Sequence, residues 1–166
     1  MKLAKGLGEF FGLDIDTNAV RVVQLSRTGT GWSLSHYGYT PVDSKITSGD
    51  SPEAKRRLGE AIMTAVGQAG IKTSNVAVGL PSNKTFSTII DVPKVPEQEL
   101  KAMMKYQIDQ YIPMSLDEAE VDWALLGDSL HAQSQYEILL TSTAKSYAEE
   151  RLELVENLGF NVIAEE

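Results

Sequence analysis

Asp14, Asp16, Thr17 and Asn18 crowd carboxylate oxygens, a hydroxyl and turn amides into five consecutive positions of the stretch FFGLDIDTNAVRVVQLS, residues 10 to 26. Hard cations take carboxylate and water oxygens, and turn amides point at anions, so such a tip can receive a hydrated cation or a phosphate. Asp, Thr and Asn are also ordinary turn formers, and a plain bend is the other reading of the same residues. Two strands must present this tip. Phe11, Leu13 and Ile15 alternate with Gly12, Asp14 and Asp16, and Ala19 to Leu25 resumes the apolar pattern, which predicts a hairpin.

The rest of the chemistry is sparse. The chain has 166 residues, 42% of them hydrophobic, enough for one ordinary domain or two small subdomains with a core. Its 23 acidic and 15 basic residues give a formal net charge of -8, which argues against nucleic acid as a partner. Without cysteine there is no disulfide scaffold or thiolate zinc site, and His36 and His131 stand too far apart in sequence to suggest a ligand pair. Leu3, Leu7, Phe10 and Phe11 allow a brief surface-active helix or a frayed lead into the first strand. Gly6, Gly8 and Glu9 interrupt any signal-peptide core, no apolar run reaches the roughly 20 residues that span a bilayer, and the expected location is cytoplasmic.

Along the chain, Thr28-Gly29-Thr30-Gly31 turns the second strand into a third over Trp32 to Tyr39. Pro41 to Asp50 reads as a polar connection. Asp50 or Ser51 then caps a helix with Pro52 in its first turn, an apolar face from Leu58 to Ala69, and Gly70 as its stop. Asn75 to Leu80 follows as a buried strand. A second unit is expected to begin near Thr85, with a strand to Val92, a helix from Glu97 that Pro113 stops, and strands over Val121 to Leu126 and Tyr136 to Thr141. Ser146 with Glu149 reads as a capping box for a last helix, and Asn161 to Ala164 as a final strand.

Four stretches together, GLDIDTNAVRVVQLS, VAVGLPSNKTFSTIIDVP, KYQIDQYIPMSLDEAEVDWALLG and LVENLGFNVIAEE, resemble the PilM family of type IV pilus assembly proteins, relatives of the actin-like cell-division protein FtsA. Gln110-Tyr111-Ile112-Pro113 followed by Asp117 and Glu118 is the most specific piece. The resemblance covers nearly the whole chain as an N-terminal half. It implies an α/β fold: an actin-like, ribonuclease-H-like subdomain over residues 1–82 with 160–166, and an inserted strand-helix-strand-strand subdomain over 83–159. It further implies a nucleotide site in which Asp14 faces the magnesium water shell, Thr17 and Asn18 the phosphates, and Arg21 takes the place of a nearby lysine. ATP with magnesium is thus expected in a longer protein and no cofactor in these residues. Asp16, where the family commonly has glycine, would oppose a triphosphate by like charge unless a metal bridges them.

The same resemblance implies a partner, the cytoplasmic tail of the inner-membrane protein PilN, held as an extended peptide in a groove between the subdomains, so that the protein reaches the membrane through its partner. Extended peptides pair with sheet edges and fill apolar pockets, which singles out Thr85, Ser87 and Ile89 on the strand and Met103, Met104, Tyr106, Gln107, Gln110 and Tyr111 on the helix. A homo-oligomer is compatible with this architecture. The expected function is a scaffold or adaptor and not an enzyme; the alternatives are an actin-superfamily ATPase and the cytoplasmic region of a type II secretion platform protein.

Overall fold

The computed structural model describes residues 8–166, so Leu3 and Leu7 lie outside the described residues. Period-two burial organises the first strands: β1 (Phe11–Ile15) buries Phe11, Leu13 and Ile15, and β2 (Ala19–Thr28) buries Val20, Val22 and Gln24. Phe11 is therefore the fully buried start of a strand. β2 turns at Gly29, whose φ of 55° suits the left-handed position of a tight turn, into β3 (Gly31–Pro41). The connection expected after Pro41 holds a short helix, α1 (Ser44–Thr47), which Asp43 caps by accepting from the Lys45 N–H.

α2 (Pro52–Ala69) starts where its sequence says it should. Ser51 Oγ accepts from the Ala54 N–H at 3.1 Å, and Gly70 closes the helix at φ 72°. Leu58, Ile62, Ala65 and Val66 bury one face against Leu13, Val20, Val22, Val76 and Val78. The strand β4 (Asn75–Gly79) runs parallel to β1, and the last strand, β8 (Asn161–Glu165), runs parallel to β4, giving the order β3-β2-β1-β4-β8.

A second, three-stranded sheet has the order β5-β7-β6, from β5 (Thr85–Pro93), β6 (Ala119–Asp128) and β7 (Gln135–Ala144), all antiparallel. Helix α3 (Glu97–Gln107) buries Leu100 and Met104 against Val92, Ile138 and Leu140. It relaxes into a 3-10 turn over Ile108–Gln110 and so ends before Ile112, earlier than Pro113 alone would require. The mixed α/β class, and the strand-helix-strand-strand order of the second unit, match the expectation.

Two compact units emerge: residues up to Pro81 with Glu150–Glu166, and Ser82–Glu149. The second boundary corrects the expected 83–159, since it falls inside α4 (Lys145–Asn157). Leu154, Val155 and Leu158 pack in the core of the first unit, which draws residues 150–159 away from the insert. Ser146 also changes role. Lys145 already begins the helix, and its N–H donates to the Glu118 carbonyl at 2.8 Å, so Ser146 sits within the first turn instead of capping it.

Candidate functional site

Strand register builds the hairpin tip. Asp14 on β1 stands directly opposite Arg21 on β2, both exposed on the sheet face away from α2. Arg21 Nη1 donates to Asp14 Oδ2 at 2.9 Å and to Asp16 Oδ2 at 3.2 Å, one guanidinium nitrogen shared by two carboxylates. The Arg21 guanidinium also lies 5.9 Å from the Tyr39 ring centre, within cation-π reach. The Thr17 N–H donates to Asp16 Oδ1 at 2.7 Å. That bond first, and the Arg21 hydrogen bond after it, hold the Asp16 carboxyl below the ordinary carboxylate range. In turn Asp14, then Asp16, raise the Arg21 guanidinium further above its ordinary value.

The bend itself is held from behind. Thr47 Oγ1 donates to the Thr17 carbonyl at 2.7 Å, Val42 N–H to the Asn18 carbonyl at 2.9 Å, and Asp16 N–H to the Ala19 carbonyl at 2.9 Å. Asp14, Asp16, Thr17 and Arg21 are thus bonded to one another, with Asn18 beside them in the bend. The Thr17 amide and Nη1 of Arg21 are engaged by carboxylates, and two carboxylates against one cation leave the tip negative. A triphosphate at this tip would meet like charge unless a metal bridged it. Among the described residues no group of three or more His, Asp or Glu side chains could hold a metal ion, so Asp14 has only Asp16 beside it as a second carboxylate.

Beside the tip the sheet face carries an open apolar depression of about 550 Å³. It is lined by Gly12, Ala77 and Gly79, which carry little or no side chain, by Val23, Tyr37 and Tyr39, and by Asp14 and Arg21. Tyr37 is 74% exposed. The sequence reading placed Tyr37 and Tyr39 on a strand without assigning them to a site. Their two-residue spacing on a strand at the sheet edge, both aromatic and both outward, was the available signal.

In the second unit, the expected peptide-binding residues divide across the sheet. Ser87 and Ile89 are exposed on β5, an edge strand whose alternate residues face away from α3, and Thr85 is half-buried. Met104 is 1% exposed and belongs to the core, which corrects its assignment to a binding surface: the helix needs it to seat on the sheet. Met103 and Tyr111 are half-buried and pack against the same core. Tyr106 is 78% exposed, Gln110 exposed and Gln107 half-buried, on the side of α3 away from the sheet or along its flank.

A family model described as type IV pilus assembly protein PilM matches residues 12–164. Among solved structures the chain is similar to a PilM-PilN type IV pilus biogenesis complex, at 21% identity and a TM-score of 0.77, with 94% of this chain and 46% of that one covered. It is also similar to the cytoplasmic domain of EpsL, an inner membrane component of the type II secretion system of Vibrio cholerae, at 14% identity and a TM-score of 0.54, with 95% and 57% covered. At these identities the likeness is one of fold. The chain spans about half the length of the solved relatives it matches.

Proposed function

As the chain belongs to the type IV pilus assembly protein PilM family, we propose that it acts as a cytoplasmic adaptor of the pilus platform, holding the extended tail of an inner-membrane partner of the PilN kind. The observation that carries this reading is the edge of β5. Among the described residues that strand pairs with β7 alone, so along Phe86 to Val92 its other edge is open to an added strand, while Ser87 and Ile89 stand outward beside it. Main-chain pairing supplies affinity and the neighbouring side chains supply selection. The solved relative that contains PilM together with PilN supports the choice of partner. On this reading the partner supplies the association with the membrane; no helix among the described residues is long and apolar enough to cross one.

Nucleotide is no part of the proposal for these 166 residues, because the hairpin directs its donors at Asp14 and Asp16. The test is titration of the chain with a synthetic PilN tail peptide, followed by calorimetry and amide chemical shifts. Shifts along Thr85 to Val92 are expected. Neither heat nor shifts at high micromolar peptide would sink the reading for this chain.

A further inference from the structure

The outer face of the three-stranded sheet is laid out in rows by its register. Ile89, Leu139 and Ala124 stand side by side in a central row. One row along, Asp91 lies directly opposite Glu137; in the other direction come Asp122 beside Thr141 and Glu120 beside Thr143. Residues two apart share a face, so the alternate set, Ile90, Val92, Ile138 and Leu140, is the one that makes the core with α3. Ile89 is 57% exposed, and Ala124, Asp91, Asp122 and Glu120 are exposed as well.

Two features set this face apart from a merely solvated one. Like charges directly opposite in an antiparallel pair are destabilising, and Asp91 with Glu137 is such a pair. Moreover, none of the four carboxylates forms an ion pair among the described residues. Asp122 and Glu137 accept only from neutral backbone N–H groups, those of Trp123 at 2.8 Å and Leu130 at 3.2 Å. The lysines at the two ends of β5 are turned elsewhere: Lys94 to Asp128 and the Tyr136 ring, Lys84 to the Tyr147 ring.

We propose that this face docks a basic amphipathic helix of a partner protein, with apolar side chains on the Ile89, Leu139 and Ala124 row and lysines or arginines over the acidic rows at either end. A sheet face with an apolar row is covered by packing a second layer on it, whereas strand addition would use the edge. The dimensions agree. Asp91 and the row of Asp122 are four residues apart along the strands, about 13 Å at roughly 3.3 Å per residue. Two helical turns advance about 11 Å, so cations seven or eight residues apart on one helix face reach both rows. The acidic rows repel anionic headgroups and phosphates, which points to a protein and away from a membrane or nucleic acid. Ile89 stands beside both this face and the β5 edge of the proposed adaptor site, but Leu139, Ala124 and the carboxylates of β6 and β7 belong to the face alone, and the inference does not rest on the PilN reading.

The test uses the full chain and two synthetic helical peptides of roughly 18 residues. One carries a leucine stripe bracketed by lysines, and its twin has every lysine replaced by glutamate. The lysine peptide is expected to shift amides of Glu137 to Thr141 on β7 and Asp122 to Ala124 on β6, the two strands beyond β5, while the twin shifts none of them. The double variant Asp91→Asn with Glu137→Gln should weaken the lysine peptide about two- to tenfold. Raising the ionic strength from about 0.05 M to about 0.5 M should weaken it too. The unliganded double variant should melt above the unaltered chain, since it loses a repulsion. Equal binding of the twin, shifts confined to the first unit, or affinity indifferent to the double variant would overturn the proposal. If a PilN tail fails at the β5 edge while the lysine peptide shifts β6 and β7, only the adaptor reading falls.

Discussion

Gly38 offers a direct test of how β3 is seated on α2. A Cβ built there would lie 2.5 Å from the Ala65 carbonyl oxygen, 3.0 Å from Val22 Cγ2 and 3.1 Å from Ala69 Cβ. The nearest atom is helix backbone and cannot swing aside. A carbon–oxygen contact relaxes to about 3.3 Å, so Gly38→Ala must part strand from helix by roughly 0.8 Å. A gap of that size forfeits roughly a quarter to a half of each dispersion contact along the seam, and overpacking of this kind costs about 1–3 kcal/mol. Against it stands the usual gain of about 0.4–1 kcal/mol from a stiffer unfolded chain. The net expectation is a loss of about 1–2 kcal/mol, read as a lowered urea midpoint at unchanged slope by far-ultraviolet circular dichroism. Gly12→Ala is the control, because its nearest neighbour is a side-chain methyl, Val23 Cγ1, at 3.4 Å. Equal stability of Gly38→Ala and the unaltered chain would refute the close seating of β3 on α2.

Further outcomes follow from the same geometry. Met104→Ala should cost about 2–5 kcal/mol of stability, whereas Tyr106→Ala should stay within about 0.5 kcal/mol, and denaturant titration of both separates a core position from a surface one. The Asp16 carboxyl is held low in the folded chain, so its contribution is present above the ordinary carboxylate pKa and fades as pH falls through the lowered folded value. Arg21→Gln should move that titration upward without abolishing the shift, since the Thr17 N–H remains; an unmoved carboxyl carbon titration by NMR would show the guanidinium to be irrelevant. Residues 1 to 166 should neither bind nor turn over ATP with magnesium, and steady phosphate release abolished by Asp14→Ala would prove that wrong.

Local signals in the chain reached far into the fold. Ser51, Pro52 and Gly70 delimit α2 because caps and breakers act on the backbone within a few residues of themselves. Alternation in Phe11 to Ile15 and the β-branched residues of Thr85 to Val92 make strands legible for the same reason, and α1 escapes because a four-residue helix has too few turns to show a period. At the site, the composition of the hairpin tip was visible but its internal pairing was not. Arg21 is seven residues from Asp14 in sequence, and only the β1–β2 register sets them opposite each other.

What the sequence by itself determined, then, was the element order, the mixed α/β class, the polar tip at Asp14 to Asn18 and the family resemblance, all carried by short-range patterns. Tertiary structure decided which way each periodic residue faces and which core claims it. A helical stripe does not say which of its methionines meets the sheet, so Met104 went to the core and Tyr106 to solvent. The split of α4, the apolar depression beside Tyr37 and Tyr39, and the acidic rows flanking Ile89 all arise from pairing between segments remote in sequence. The physical reason is that a one-residue slip of register would carry every one of those strand side chains to the opposite face, and that a helix is seated only by the sheet it meets.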